Sequence, residues 1–202
     1  MRRDLLLRTV AVIALVALNG AGTIARPADT SRSAALAFTL ADSAGVVHSE
    51  RELQQSPAAV FFFIMPDCPI SQSYVPEMNR IADAYAARGI RFFAVQADLA
   101  ATAATVRQHV REYGYRFPVL LDPRQLLVRR TGASVTPEVI VITPGGSVLY
   151  QGRIDNRVVS LGTTRPQATE FDLRNALNAV LAHRPVPLPK TTAYGCLITK
   201  SR

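Results

Sequence analysis

The pattern of apolar residues along the chain predicts three strands that are buried on both faces. The segment AAVFFFIM at residues 58–65 has no polar position, and IRFFAVQAD at 90–98 and EVIVIT at 138–143 are nearly as apolar. Such runs are typical of strands in the middle of a sheet that helices cover on both sides. A weaker alternation around the turn DSAG at 42–45 predicts a small hairpin ahead of the first buried strand.

The segments between and after these strands have apolar residues at helical spacing. A first helix is predicted over residues 71–88 and is closed by Gly89, and a second is predicted to end at Gly114. A last helix is predicted to follow Thr169 as its cap. The positions predicted to be buried on these three helices are Tyr74, Val75, Met78, Ile81, Ala82 and Tyr85; Val106, Val110 and Tyr113; and Leu173, Leu177, Val180 and Leu181.

Shorter elements complete the predicted sheet. FPVLLD at residues 117–122 predicts a short strand, and PRQLLVRRTG at 123–132 predicts a short helix with proline near its first turn and glycine after its last. The turn PGG at 144–146 predicts that SVLYQG returns antiparallel to the third buried strand. This order of elements predicts an α/β fold with a mixed central sheet flanked by helices on both faces.

The amino-terminal segment predicts export. Three arginines precede the apolar stretch TVAVIALVAL at residues 9–18, and small residues follow it. The stretch is shorter than the roughly 20 residues that span a bilayer. We therefore expect a cleaved signal peptide at residues 1–25 and a periplasmic protein, with an uncleaved membrane anchor as the alternative. The sequence leaves open whether the Sec or the twin-arginine route is used.

The remaining chain is expected to form one domain with two extended ends. We assign residues 26–34 to a linker, 35–184 to the domain and 185–202 to a tail that has too many prolines for a helix and runs extended over the surface. The net charge of +8 comes from scattered arginines, which argues against nucleic-acid binding. No cofactor and no metal site are expected, because His48, His109 and His183 lack ligand spacing; His109 is predicted to lie on a helix surface.

The first candidate for chemistry is Cys68, in the segment PDCPIS. It follows a buried strand and precedes a helix, where unpaired amides and the helix dipole favour a negative charge. Thiols at such positions can have pKa values well below the ordinary value of about 8.5. Pro69 suits the first helical position. The adjacent Asp67 disfavours a thiolate, and it is interpreted either as a proton shuttle or as a helix cap.

Cys196 is the only other cysteine. An extended tail from Pro185 could cover about 35 Å at about 3.3 Å per residue, so it could return to the first cysteine. Gly195 would then allow a close approach of the backbone. Three alternatives stay open for Cys196: a resolving cysteine, a static disulfide that pins the tail, and an unpaired thiol.

The motifs PDCPIS, FPVLLD and VTPEVIVI, the hairpin with YQGRIDNR and the terminal GC resemble the peroxiredoxin-like, redoxin-domain (AhpC/TSA-like) branch of the thioredoxin superfamily. The resemblance covers about residues 35–198. It implies a thioredoxin-like fold with Cys68 as the redox cysteine. It also implies a cis bond between Thr136 and Pro137, whose backbone would present an extended edge to the substrate beside Glu138. Arg153 and Asp155, beyond the hairpin, could orient the tail or a substrate carboxylate, or form surface salt bridges.

Two departures from related families bear on the reaction. Peroxiredoxins place a proline and a hydroxyl residue before the reactive cysteine, and this chain has Phe61 and Met65 at those places. Thioredoxins have a second cysteine three residues after the first, and this chain has Ser71. Peroxide reduction is therefore the weaker prediction, and Cys68 needs a partner from elsewhere in the chain.

The sequence thus predicts an exported thiol-disulfide oxidoreductase with Cys68 as nucleophile and Cys196 as resolving or disulfide partner. Its expected substrates are protein or small-molecule disulfides, regenerated by an unidentified thiol reductant, with membrane contact only through the export signal. The alternatives are a peroxiredoxin-like peroxide reductase and a non-catalytic binding or copper-handling module with a structural disulfide.

Overall fold

The computed structural model describes residues 36–201. The predicted signal peptide and linker lie outside the described residues. Among residues 36–201 no helix combines the length and apolar character needed to cross a bilayer. The elements, in chain order, are β1 (Thr39–Ala41), β2 (Val47–Ser49), a 3-10 helix (Glu50–Leu53), β3 (Ala59–Ile64), α1 (Pro69–Ala86), β4 (Arg91–Gln96), α2 (Ala103–Tyr113), β5 (Val119–Leu121), α3 (Leu126–Thr131), β6 (Val135–Thr136), β7 (Glu138–Ile142), β8 (Val148–Gly152), β9 (Val158–Ser160), β10 (Thr163–Thr164), α4 (Asp172–Leu181) and β11 (Cys196–Leu197).

A five-stranded mixed sheet in the order β5-β4-β3-β7-β8 forms the centre of the domain. Strands β3, β4 and β5 are parallel, and β7 runs antiparallel to both β3 and β8. The three predicted buried strands are confirmed as β3, β4 and β7, which occupy the middle of the sheet. The hairpins β1–β2 and β7–β8 are also confirmed.

Hydrophobic clusters cover both faces of the sheet. Because successive residues of a strand point to opposite faces, Val60, Phe62 and Ile64 of β3 pack with α1 and α4 on one side. Phe61 and Phe63 pack on the other side with Phe38 and with α3. All six residues of α1 that were predicted to be buried are buried. The two apolar layers hold the carboxyl end of β3 and the start of α1 in a fixed relation.

Three residue-level predictions about the helices are wrong. Tyr113 of α2 is exposed and His109 is buried, because Tyr113 and Tyr115 pack against the imidazole ring and Tyr115 also shares a hydrogen bond with it. Phe171, rather than Thr169, occupies the capping position of α4. Thr169 instead exchanges hydrogen bonds with the side chain of Asn156.

Three other predictions about the ends of helices are confirmed. Pro69 is at the first position of α1, and Gly114 and Gly132 close α2 and α3 in the left-handed conformation. Residues 185–201 contain no helix. The tail pairs with the fold at Lys190, which bridges to Gln151 of β8, and at β11, which pairs with β6.

Candidate active site

Cys68 lies at the junction between β3 and α1. It occupies the capping position of α1 with extended backbone angles, and its side chain makes no capping hydrogen bond to the first turn. Asp67 is exposed and is not at the capping position, so the capping role considered for it is wrong. The cysteine side chain therefore lies where the uncompensated N–H groups of the helix favour negative charge on sulfur.

Cys68 forms a disulfide bond with Cys196. The two Cα atoms are 6.0 Å apart although 128 positions separate them in sequence. The tail therefore returns to the face that carries the first cysteine, and the alternative of an unpaired tail thiol is wrong. A resolving role and a static role both remain compatible with the bond.

The peptide bond between Thr136 and Pro137 is cis, which confirms the prediction from the resemblance. The carbonyl oxygen of Thr136 is 3.1 Å from Sγ of Cys68. Strand β11 pairs antiparallel with β6, so that Cys196 faces Thr136 and Leu197 faces Val135. The edge beside the cis proline, which was predicted to receive substrate, is thus occupied by the chain's own tail.

Upstream of Cys196, Thr191 anchors the tail to β8. Its hydroxyl group lies 2.7 Å from the hydroxyl of Tyr150 and accepts a hydrogen bond from the Arg153 amide at 3.0 Å. Its own amide donates to the carbonyl of Gln151 at 3.0 Å. These contacts fix the tail before it crosses the active-site face.

Downstream of Cys196, Gln125 and Ile198 form a second anchor. The Gln125 amide group donates to the Thr199 carbonyl at 2.7 Å, and its oxygen accepts from the Ser201 amide at 2.8 Å. Ile198 is buried, and its amide donates to the carbonyl of Ser134 at 2.9 Å. Sequence reasoning missed Gln125. A polar residue within PRQLLVRRTG gives no local sign that the tail binds it.

The segment between the two anchors is short. We call residues 192–197 the strap, because they span the active-site face between Thr191 and Ile198. Gly195 of the strap is buried, and a β-carbon at this position would overlap the carbonyl group of Thr136. The predicted need for a small residue at Gly195 is therefore confirmed by the packing.

Two residues near Cys68 have buried hydroxyl groups. Among residues 36–201, the side-chain oxygens of Ser71 and Thr136 are buried and have no hydrogen-bond partner. Ser71 is three positions after Cys68, on the neighbouring turn of the helix start. Thr136 contacts the sulfur through its carbonyl oxygen. Buried hydroxyl groups usually have partners, so both are donors available for a further hydrogen bond.

Two of the charged residues singled out in the sequence, Glu138 and Arg153, form hydrogen bonds or ion pairs within the fold. The buried carboxylate of Glu138 accepts hydrogen bonds from the Ser134 amide and the Gln151 side chain, each at 2.8 Å. It therefore ties the loop before the cis proline to β8. Arg153 pairs with Asp172 at 2.7 Å, which raises the pKa of the guanidinium group.

Asp155 is buried and accepts hydrogen bonds from the hydroxyl of Tyr74 at 2.6 Å and from the Arg157 amide at 2.8 Å. The Arg157 guanidinium lies 4.2 Å from the centre of the Tyr74 ring. Burial and the Asp155 carboxylate together raise the pKa of Tyr74 above its ordinary range. Asp155 thus joins α1 to the segment after β8.

Residues 36–201 contain no group of three His, Cys, Asp or Glu side chains arranged to hold a metal ion. His109 is surrounded by aromatic rings and shares a hydrogen bond of 3.2 Å with Tyr115. Burial lowers its pKa.

Two solved structures show that the same fold occurs in other bacterial proteins. A hypothetical protein from Sinorhizobium meliloti 1021 superposes with a TM-score of 0.70 at 28% identity, covering 82% of this chain and 91% of that chain. A secreted disulfide oxidoreductase from Mycobacterium tuberculosis superposes with a TM-score of 0.51 at 20% identity, covering 73% and 96%. With a mixed sheet, a cysteine at the start of α1 and a cis proline beside it, the fold is thioredoxin-like.

Sequence comparison defines the family within this fold. A model of the AhpC/TSA family matches residues 32–151, which is more than half of the chain, and the chain belongs to that family. The thiol-disulfide oxidoreductase ResA of Bacillus thuringiensis (strain Al Hakam) is 30% identical over 84 residues, 42% of this chain and 47% of that protein. The chain thus matches about half the length of this relative. The family match includes Cys68 but stops before Cys196.

Proposed function

We propose that this protein is an exported thiol-disulfide oxidoreductase in which Cys68 is the nucleophile and Cys196 the resolving cysteine. The observation that carries the proposal is the disulfide between a cysteine at a helix start beside a cis proline and a cysteine on a doubly anchored strap. The name of the related Bacillus protein supports the same reaction class.

The reaction transfers two electrons from the cysteine pair to a substrate disulfide. The Cys68 thiolate attacks one substrate sulfur, and the other substrate sulfur leaves as a thiolate. The Cys196 thiolate then attacks Sγ of Cys68 and releases the second substrate thiolate. The protein is left with the Cys68–Cys196 disulfide, and a thiol reductant restores the two thiols.

The surroundings of Cys68 suit a thiolate. The free N–H groups of the first turn of α1 stabilise negative charge on the sulfur. The buried hydroxyl groups of Ser71 and Thr136 are donors that have no other partner among the described residues. Once the disulfide opens, either can donate a hydrogen bond to the sulfur. We therefore assign Ser71 and Thr136 to the positioning of the Cys68 thiolate.

The anchors favour a resolving role for Cys196 over a static clamp. Thr191 and Ile198 hold the ends of the strap by contacts that do not involve sulfur. The strap itself is held to β6 by the pairing of only two residues. When the disulfide opens, the strap can lift to admit substrate while Cys196 stays close. Because these anchors already hold the tail on the domain, a disulfide that served only to fix the tail would have little further effect.

The residues before Cys68 favour a disulfide over a peroxide as the oxidant. Phe61 is fully buried and stacks against Phe93, with ring centres 5.5 Å apart, so it faces the core rather than the cysteine. Met65 has no hydroxyl group to bind a peroxide oxygen. The substrates are therefore assigned to protein or small-molecule disulfides.

The remaining assignments follow from the same chemistry. A disulfide of this kind persists in an oxidising compartment, which supports export by the signal at residues 1–25 and a location in the periplasm. Residues 35–184 form the catalytic domain, and residues 185–202 complete it by supplying the second cysteine. Asp67, exposed beside Cys68, remains the candidate for proton transfer. Arg153 and Asp155 have a structural role: the Arg153 amide binds Thr191, just before the strap, and Asp155 binds Tyr74 of α1.

The proposal is tested with a peptide that contains one disulfide; turnover is measured with a thiol reductant present, and mixed disulfides are trapped with prereduced protein after the reductant has been removed. We expect turnover by the wild type, none by Cys68→Ser, and accumulation by Cys196→Ser of a mixed disulfide between Cys68 and the peptide. Leu197→Ser is the matched control, because it places serine on the same strap at an exposed side chain and leaves both sulfurs in place. Full turnover by Cys68→Ser would refute the proposal.

A further inference from the structure

The two cysteines of the disulfide differ in their exposure to solvent. Cys68 is completely buried, whereas Cys196 is partly exposed. The neighbours of Cys196 on the strap are also accessible, with Tyr194 exposed by 37% and Leu197 by 78%. A reagent that approaches the oxidised protein therefore meets Cys196 first.

The burial of Cys68 is a property of the closed strap. On one side the carbonyl oxygen of Thr136 is 3.1 Å from its sulfur, and β11 pairs with β6 directly beside it. Gly195, the residue before Cys196, packs against the carbonyl group of Thr136 so closely that a β-carbon there would overlap it. Because Cys68 has no exposed surface, an incoming thiolate cannot reach its sulfur while the strap is closed.

The leaving group favours the same direction of attack. In thiol-disulfide exchange the attacked sulfur keeps the new bond, and the other sulfur leaves as a thiolate. Attack on Cys196 makes Cys68 the leaving group, and the start of α1 stabilises the thiolate that forms there. Attack on Cys68 would instead expel a thiolate at Cys196, which belongs to β11 and has no helix start of its own to stabilise the charge.

We infer that the thiol reductant attacks Cys196, so that the reductant and the substrate use different sulfurs of the pair. This inference rests on the proposed function. The reductant thiolate forms a bond to Sγ of Cys196, the Cys68–Cys196 bond breaks, and the electron pair goes to Cys68 as a thiolate. A second reductant thiol then attacks the reductant sulfur, a reductant disulfide forms, and Cys196 leaves as a thiolate. The opened strap then exposes Cys68 to the next substrate.

If the reductant reacts at Cys196 and the substrate at Cys68, the two partners bind different surfaces of the protein. The reductant must recognise the outer surface of the closed strap, where the partly exposed Cys196 lies between the exposed residues Tyr194 and Leu197. The substrate must instead reach the edge of β6 that the lifted strap uncovers. Oxidised and reduced protein therefore present different binding surfaces.

The inference is tested on the oxidised full chain with glutathione as the attacking thiol. The reaction is stopped with acid at early times, free thiols are alkylated, and peptides are mapped by mass spectrometry. We expect glutathione on Cys196 and the alkyl group on Cys68, in about tenfold or greater excess over the reverse pattern. In denaturant, where no strap shields Cys68, glutathione is expected on both cysteines in comparable amounts.

Glutathione mainly on Cys68, or equally on both cysteines of the native protein, would overturn the inference. The absence of any adduct on native protein that is modified in denaturant would overturn it as well, because Cys196 would then be inaccessible. Neither result depends on turnover of a substrate. Failure of the proposed function would appear separately, as a lack of peptide turnover by a chain whose disulfide glutathione opens at Cys196.

Discussion

Gly195 lies directly against the main-chain carbonyl group of Thr136, at a distance that leaves no space for a β-carbon. This contact brings the strap onto the edge beside the cis proline and places Cys196 opposite Thr136 in the register of β11 and β6. The closed disulfide therefore depends on a residue without a side chain at the position before the cysteine.

Gly195→Ala is expected to weaken the closed state. The added methyl group must push the strap away from Thr136, at a cost of about 1–3 kcal/mol. The Cys68–Cys196 disulfide should then be about tenfold or more easier to reduce in a glutathione redox buffer, as measured by the fraction of free thiols. Gly145→Ala is the control, because the nearest atom to an added β-carbon there is 3.7 Å away and belongs to a side chain. Equal midpoints for both variants would contradict the tight contact.

Gln125→Ala is expected to release the downstream anchor. Removal of its side chain takes away the partners of the Thr199 carbonyl and the Ser201 amide, and each of these partly buried hydrogen bonds contributes about 0.5–1.5 kcal/mol. Hydrogen exchange at residues 198–201 should become faster, and closure of the Cys68–Cys196 disulfide should slow. Gln108→Ala is the control, because that side chain is exposed and bonds only to Glu112 on the same helix. Unchanged exchange in Gln125→Ala would show that Ile198 alone holds the tail.

The stability of the protein is expected to depend on pH through His109. Burial lowers the pKa of His109 in the folded state, so the unfolded state binds more protons below its ordinary pKa of 6.5. Stability from this group is therefore present above pH 6.5 and is lost as the pH falls below it. The free energy of unfolding should fall less in His109→Gln than in the wild type between about pH 7.5 and about pH 5.5.

His183→Asn serves as the control for that experiment, because His183 is exposed and asparagine tolerates its positive φ of 51°. Denaturant titrations at several pH values measure the difference, and the other titrating groups are the same in each protein. A pH dependence in His109→Gln that matches the wild type would mean that the imidazole is not shielded.

Tyr74→Phe is expected to lower stability without a proportional loss of activity. The variant removes the 2.6 Å hydrogen bond to the buried Asp155 and leaves that carboxylate with fewer donors, at a cost of about 1–3 kcal/mol. Urea titration measures the loss, and turnover per folded molecule should stay near that of the wild type. Tyr113→Phe, at an exposed tyrosine, should change neither quantity. A loss of turnover beyond the loss of folded protein would give Asp155 a direct part in the reaction.

Much of the fold could be predicted because its signals are local. Apolar runs mark β3, β4 and β7, and glycines mark the ends of α2 and α3. The position of Cys68 follows from a strand that changes to a helix at a proline. The cis bond before Pro137 came from the resemblance to a family, since neither residue type nor spacing sets the isomer.

The remaining features depend on contacts between distant parts of the chain. The pairing of Cys68 with Cys196 was one of three alternatives, because the length of a tail limits where it can reach but does not say where it docks. Gln125 carries no sequence signal for the tail that it binds 74 positions later. His109 is buried by Tyr115, which lies outside its helix, so helical periodicity alone places it incorrectly.

The central claim is that Cys68 and Cys196 are a working redox pair. It is tested most directly by a titration of the wild-type protein in glutathione and dithiothreitol buffers, with the two thiols counted by mass spectrometry. We predict a single two-electron transition within the range of catalytic disulfides, about −120 to −270 mV. A transition below about −300 mV, where structural disulfides of secreted proteins lie, would contradict the account and leave the bond as a static clamp.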